Sequence, residues 1–324
     1  MDKTKSTPLV TIRCLVYNHE PYLRQCLEGF VMQKTNFYFE AIVHDDASTD
    51  GSAEIISEYA DKYPDIIKPI FEKENLFSKK DGSLSRVMNE HTHGKYIANC
   101  EGDDYWTDPL KLQKQVDILE QNPEIGLVYT QAEAFNNNSI IGEISFEVKD
   151  AEHLLLYGNG IANLTTCYRR ELLYAYLKEV DPGSKNWLMG DYPMWLWFML
   201  HSKAYFLNEV TCRYRMLQNS ASHSTNIHKV VAFEKSVLDI RVFFINKFWN
   251  KDRKLLKHVY TMSTWYIFRL YIVNNLDKLA FKFLFQHFKM LKHKQQVSGV
   301  IYFILPFIRN RKRAKWTCNT RIFK

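Results

Sequence analysis

The sequence predicts an α/β fold with a mostly parallel central sheet and a helical C-terminal extension. Three observations carry this. Short apolar runs alternate with segments of helical spacing through the first 130 residues, the pattern of βαβ units. Two of these runs end in dense acidic turns, His44-Asp45-Asp46-Ala47-Ser48-Thr49-Asp50-Gly51 and Cys100-Glu101-Gly102-Asp103-Asp104. In open α/β sheets ligands bind beyond the carboxyl ends of strands. The charge also changes sign along the chain. Residues 226–324 hold 21 Lys+Arg against 4 Asp+Glu, whereas residues 1–225 hold 22 against 32.

In order, Leu9 to Val16 reads as a buried strand, and Glu20 to Met32 as a helix with Pro21 in its tolerated first turn. Phe39 to Val43 is a second strand, followed by a helix from Ser52 to Tyr63 that Pro64 stops. A short strand at Ile66 to Phe71 precedes a helix at Ser83 to His91. Tyr96 to Cys100 is the strand before the second acidic turn. Asp108-Pro109 then supplies an N-cap and first-turn pair for a helix to Glu120, and Ile125 to Thr130 is another strand. The pattern loosens beyond Asn136. Strands are expected at 140–148, 162–168 and 210–216, and helices at 151–157 and 194–201. From about residue 227 long helical patterns with aromatic faces take over, at 228–248, 252–275 and 276–295.

A chain of 324 residues is long enough for a large domain with an appendage. The expected division is a catalytic domain at 1–225 and a basic, aromatic-rich helical region at 226–324. The six cysteines have no paired metal-type spacing, and Cys14 and Cys100 lie inside apolar strand patterns, so reduced thiols are expected. The N-terminal stretch lacks the apolar core of a signal peptide, and no apolar run reaches the roughly 18 residues that span a bilayer. A cytoplasmic location is expected.

The acidic turns carry the chemistry. Carboxylates packed this closely repel and raise one another's pKa, which a cation relieves. Oxygen-only donors favour a hard divalent ion, Mg2+ or Mn2+, and such an ion typically shares its shell with a diphosphate. The plainer alternative is a pair of solvated loops capping helices, with Asp50 and Ser52 at the start of the helix that follows.

Four stretches resemble the family 2 glycosyltransferases of GT-A (Rossmann-like nucleotide-diphospho-sugar transferase) fold. They are Val10-Thr11-Ile12 through Tyr17-Asn18-His19-Glu20, Asp45 to Gly51, Gly94-Lys95-Tyr96-Ile97, and Glu101-Gly102-Asp103-Asp104. The resemblance runs in order over about residues 8–130 and returns at 187–224. It implies that Tyr17 stacks on the nucleotide base, with Asn18 and Glu20 in the same nucleotide-sugar-binding turn, and that Asp46 accepts an N–H of the base, usually uracil. Arg86 falls where a basic residue often lies near the diphosphate, although a solvated helix arginine is the alternative. The family's DxD-type motif maps onto Glu101 to Asp104. Asp104 would contact the metal, and Asp103 the ribose or the metal. The departure is Glu101, where Asp is common.

The resemblance also maps a general base onto Asp191, in Trp187-Leu188-Met189-Gly190-Asp191-Tyr192, where Gly190 replaces a frequent Glu. Asp191 could equally cap the helix after it. Tyr214-Arg215-Met216 to Ser224 is similar to a loop that closes over the diphosphate, and it offers Ser222 and His223 as phosphate or metal contacts. Trp106, Trp187, Trp195 and Trp197 would line a sugar platform or pack in the core.

In the tail, the apolar stretch 297–308 runs into the cluster Arg309-Asn310-Arg311-Lys312-Arg313-Ala314-Lys315-Trp316. An apolar segment followed by cations suits an anionic membrane surface. A docked helix with a basic end is the alternative. No nucleic-acid module accompanies the charge. The expectation is therefore a metal-dependent, inverting glycosyltransferase. It would move a sugar from a nucleoside-diphosphate donor, a UDP-sugar, to a hydroxyl of a glycan or lipid-linked glycan at the cytoplasmic face of a membrane. A nucleotidyltransferase and a catalytically decayed nucleotide-sugar-binding protein are the rivals.

Overall fold

The computed structural model describes residues 7–136, 139–217 and 224–287. The segments holding Ser222, His223 and the 297–316 stretch lie outside the described residues. The chain divides into two compact units, one of residues up to Lys185 with Met194–Met216, the other of Asn186–Pro193 with the chain from Leu217.

The first unit opens with β1 (Val10–Val16), α1 (Glu20–Val31), β2 (Phe39–Asp45), α2 (Ser52–Lys62) and β3 (Ile67–Phe71). It continues with α3 (Leu76–Lys79), α4 (Ser83–Glu90), β4 (Tyr96–Asn99), β5 (Tyr105–Trp106), α5 (Lys111–Gln121) and β6 (Ile125–Asn136). Then come β7 (Ser139–Glu143), α6 (Ala151–Tyr157), β8 (Cys167–Arg169), α7 (Arg170–Val180), α8 (Asp191–His201), of which Asp191–Pro193 fall in the second unit, and β9 (Lys203–Arg215). The sheet order is β3-β2-β1-β4-β8-β6-β9-β5, with β7 on β6. The expected parallel arrangement holds for β3, β2, β1 and β4. Beyond β4 the sheet is mixed. β8 runs antiparallel to both β4 and β6, β6 and β9 are parallel, and β5 is antiparallel to β9.

The parallel half is built by period-two alternation. Val10, Ile12, Cys14 and Val16 of β1 and Phe39, Ala41 and Val43 of β2 form one buried cluster with Leu23, Cys26, Leu27 and Phe30 of α1 and Ile55, Ile56 and Tyr59 of α2. Full burial of a leucine or phenylalanine side chain stabilises by about 1.5–3 kcal/mol relative to exposure. The intervening Thr11 and Arg13 make polar contacts instead. Thr11 donates to Glu40, and Arg13 donates to Asn89. The register pairs Val16 with Asp45 and Arg13 with Asn99, so the carboxyl ends of β2, β1 and β4 come out side by side.

Several expectations are corrected. The strand expected at 162–168 is a 3-10 turn at Asn163–Thr165 followed by a three-residue strand. The helix after Asp108-Pro109 begins at Lys111, although Asp108 Oδ1 does accept from Leu110 N. Trp106 is buried in the core, with its Nε1 donating to the Leu164 carbonyl, and for Trp195 and Trp197, also buried, the core-packing alternative holds over the platform. The five described cysteines are buried free thiols.

The second unit contains α9 (Ile227–Phe248), α10 (Arg253–Val273) and α11 (Asp277–His287). Asn226 and Asp252 cap the first two through amides of their opening turns. Ile267, Phe268 and Ile272 of α10 pack with Val231, Phe283 and Leu284. Among the described residues no helix is long and apolar enough to cross a membrane.

Candidate active site

The site is assembled at the carboxyl ends of β1, β2 and β4 by one short turn, Tyr17 to Glu20. Asn18 takes a left-handed backbone, φ 55°, which asparagine tolerates better than most side chains. That turn grips the first acidic loop at several points. Asn18 N donates to Ser48 Oγ at 2.9 Å, and Asn18 Oδ1 accepts from Thr49 N at 2.8 Å. His19 N donates to Ser52 Oγ, and Glu20 N to Asp50 Oδ2. Glu20 Oε2 in turn accepts from Gly51 N at 2.8 Å, placing a carboxylate at the start of α2 where the helix dipole favours it. Asn18 and Glu20 thus act as brackets that fix the turn. Tyr17 is left 46% exposed.

The same turn reaches the second acidic loop. A Cβ on Gly102 would lie 2.8 Å from His19 Nδ1 and 3.0 Å from Val16 Cγ2. Burial holds the His19 imidazole below its ordinary pKa, against the opposing pull of Asp103 and Asp50. Only glycine allows the acidic turn to lie this close. Gly102→Ala is expected to destabilise the fold by about 1–3 kcal/mol, the usual range for overpacking, read as a lowered unfolding midpoint in denaturant. An unchanged midpoint would mean that the two turns do not abut.

The acidic turn itself is held from both flanks. Asp104 is 3% exposed, and its Oδ1 accepts from the Arg215 backbone N at 2.7 Å. Burial, then the charges of Asp103 and Glu101, pushes the Asp104 carboxyl well above the ordinary carboxylate range. On the other flank Glu101 Oε1 accepts from Asn163 Nδ2, and Asn163 Oδ1 accepts from Asn99 Nδ2 at 2.9 Å. The 3-10 turn at 163–165 therefore positions a carboxylate that strand periodicity could not have linked to it.

The remaining expected residues divide. Asp46 is buried, and its two carboxylate oxygens accept from Leu76 N at 2.7 Å and Phe77 N at 3.0 Å. It anchors α3 over the end of β2 and leaves Phe77 68% exposed beside it. Arg86 Nη1 donates to the Asp81 carbonyl on its own loop. Asp191 is the first residue of α8, and its Oδ1 accepts from the adjacent Tyr192 amide at 2.8 Å. A Cβ at Gly190 would meet nothing within 4 Å, so the residue before Asp191 is not held to glycine by crowding. Asp191 belongs to the second unit, where Trp187 packs on Phe243 and Phe244.

Among the described residues no group of three or more His, Cys, Asp or Glu side chains is arranged to hold a metal. The donor chemistry still fits a divalent ion. Asp103 and Asp104 offer only oxygens; burial does most to raise the Asp104 pKa, and a cation would offset the repulsion from Asp103 and Glu101 that adds to it. Mg2+-type ions are commonly bound by one or two carboxylates, with substrate phosphates completing the shell.

The site is thus an α/β sheet whose parallel strands end in two acidic turns bridged by a third. Comparison with solved structures places the fold. Staphylococcus aureus TarS residues 1–349 in complex with UDP-GlcNAc superimposes with a TM-score of 0.55 at 14% identity, covering 87% of this chain and 89% of that one. The mannosyltransferase PcManGT from Pyrobaculum calidifontis, with GDP-Man and Mn2+, gives 0.55 at 16% identity, covering 98% and 85%. The fold is that of the GT-A glycosyltransferases. The model of glycosyl transferase family 2 matches residues 14–175, half of the chain, and the protein belongs to that family. An uncharacterised Mycobacterium tuberculosis protein is 37% identical over 169 residues, 51% of this chain and 48% of its own length, so the match spans about half of that relative. The Escherichia coli UDP-Glc:alpha-D-GlcNAc-diphosphoundecaprenol beta-1,3-glucosyltransferase WfgD is 27% identical over 217 residues, 66% of this chain and 79% of WfgD.

Proposed function

We propose that this protein is a metal-dependent, inverting glycosyltransferase that moves a sugar from a UDP-sugar to a hydroxyl of a surface-glycan acceptor. The observation that supports this most is the Tyr17–Glu20 turn, which ties the acidic loops of β2 and β4 into one rim beside an exposed aromatic ring. Tyr17 would stack on the base. Asp46 spends two acceptor positions on the amides of α3, and an ionised carboxylate has roughly four, so capacity for a base N–H remains. Asp103 would hold the ribose or share the cation with Asp104, and His223, which follows β9 in sequence, would add a further contact. Arg86 would face the diphosphate from α4. A bound divalent ion would offset charge developing on the departing nucleoside diphosphate. Asp191 would take the proton of the acceptor hydroxyl as its oxygen attacks the anomeric carbon and the diphosphate leaves on the opposite side.

WfgD is named for a UDP-glucose donor and a diphosphoundecaprenol-linked acceptor, and PcManGT was solved with Mn2+. These support a UDP-linked donor, a lipid-linked acceptor and a divalent ion here. A lipid-linked acceptor also gives a use to the apolar and basic 297–316 stretch as a contact with an anionic membrane surface.

The test is incubation of the purified protein with a panel of UDP- and GDP-sugars, Mn2+ and lipid-linked or synthetic glycan acceptors. Products are read by mass spectrometry. Metal-dependent release of UDP with a glycosylated acceptor is expected. Pyrophosphate release from a nucleoside triphosphate would instead identify a nucleotidyltransferase. Donor binding without turnover on any acceptor would favour a decayed enzyme. Co-sedimentation with phosphatidylglycerol vesicles, lost on deleting 297–324, tests the membrane contact. Equal sedimentation of both forms would remove it.

A further inference from the structure

A cation from the far end of the sheet lies directly behind the acidic turn. Arg215 ends β9, the strand of the first unit most distant in sequence from Asp103, yet its backbone and side chain both close on that turn. Its amide N donates to Asp104 Oδ1 at 2.7 Å. Its Nε donates to the Asp103 carbonyl at 2.8 Å, and its Nη2 to Gln25 Oε1 of α1 at 2.9 Å. The guanidinium also lies over three rings, 4.4 Å from the Tyr22 centroid, 4.5 Å from that of Phe135 and 5.9 Å from that of Tyr105. Planarity and a fixed fork are what these contacts use together. A lysine ammonium could meet one of the carbonyls but not the fork and the ring faces at once.

Resting on the reading that Asp103 and Asp104 hold the metal–diphosphate pair, we propose that Arg215 is the positioning residue of that subsite. Its guanidinium fixes the Asp103–Asp104 backbone between α1 and β6, so that the two carboxylates are presented in one geometry before donor and metal arrive. The cation touches the turn through a carbonyl rather than a carboxylate. It orients the donor groups without competing for the oxygens that a metal needs. Its backbone bond to Asp104 survives any substitution except proline, so side-chain variants isolate the guanidinium.

The arrangement is an outer support of a metal site, and loss of such a support typically weakens metal affinity by about 10–100-fold. Calorimetry of UDP binding in the presence of Mn2+, and Mn2+ binding by electron paramagnetic resonance, are measured for the parent, Arg215→Lys, Arg215→Met and Gln25→Ala. Thermal midpoints without ligand establish how much of each is folded. The expected result is a loss of about 10–100-fold in Mn2+–UDP affinity for folded Arg215→Lys and Arg215→Met, and a smaller loss for Gln25→Ala. The KM for donor should rise more than kcat falls, and higher Mn2+ should restore part of the rate. A merely structural role would lower the thermal midpoint and leave the affinity of the folded fraction unchanged. Folded Arg215→Lys and Gln25→Ala binding Mn2+–UDP within about twofold of the parent would overturn the proposal. Should Arg215→Met fail to fold, the other two variants decide. Failure of the parent to bind UDP or GDP with Mn2+ would instead remove the reading of Asp103 and Asp104 on which the inference rests.

Discussion

Asp104→Asn is expected to abolish metal-dependent donor binding and to lower sugar transfer by about 10²–10³-fold or more, the range seen when a single group that stabilises transition-state charge is removed. The same change should leave the protein without metal as stable as the parent, or more stable. The asparagine side-chain oxygen can still accept from Arg215 N, so the bond that ties β9 to the turn persists. What disappears is a buried charge beside Asp103 and Glu101. The sign of the pH effect follows. The folded Asp104 pKa lies above its unfolded value, so its contribution to stability is fully present below the unfolded value and is lost as pH rises through the folded one. The parent should lose stability over that interval and the Asn variant should not. Urea unfolding at several pH values, paired with transfer assays, checks both halves. A variant that is much less stable at neutral pH would show that the charge supports the fold, against the functional reading. Stability withheld at a site in this way is typical of groups kept for chemistry.

The parallel half of the fold was legible because each of its strands is apolar on the buried side and short, and each helix announces itself by spacing and punctuation. Pro21 in the first turn of α1 and Pro64 after α2 fall where local sterics require. The acidic turns were legible for the same reason, since they end these strands. What was not legible is how the turns are held. α3 is only four residues long and is pinned by Asp46 from 30 residues away. Asn163 reaches Glu101 across 62 positions, and Arg215 reaches Asp103 across 112. No periodicity encodes such pairings. β8, three residues between two antiparallel neighbours, is set by its partners and not by its own composition. α7 did carry a signal, since Leu173, Tyr176 and Val180 recur at helical spacing and are its buried residues. The tryptophans show the opposite limit. An aromatic face suits a sugar or a core equally well, and burial alone decides for Trp195 and Trp197.

Asp191→Asn should separate binding from chemistry. If Asp191 takes the acceptor proton, the amide, which cannot act as a base, should lower kcat by about 10²–10⁴-fold, the span general-base catalysis contributes. The proposed donor site uses other residues, so UDP affinity with Mn2+ should stay within a few-fold of the parent. Folding should also survive, because the asparagine side-chain oxygen can accept from the Tyr192 amide as Asp191 now does. Asp191→Ala removes both functions and should lower stability by about 0.5–2 kcal/mol on top of the same loss of turnover. The pair of variants therefore distinguishes the two roles that one carboxylate can play here. If Asp191 only caps α8, Asn will transfer sugar at the parent rate and Ala will show a stability defect alone. If it is the base, the two variants will be equally slow and unequally stable. Gly190 adds a further control, since the space beyond its Cα accommodates a side chain. Gly190→Glu creates the acidic pair that the family resemblance leads one to expect here, and should fold normally. A rise in turnover that depends on Asp191 would show that the two positions act together on the acceptor. No change would leave Asp191 acting without a second carboxylate.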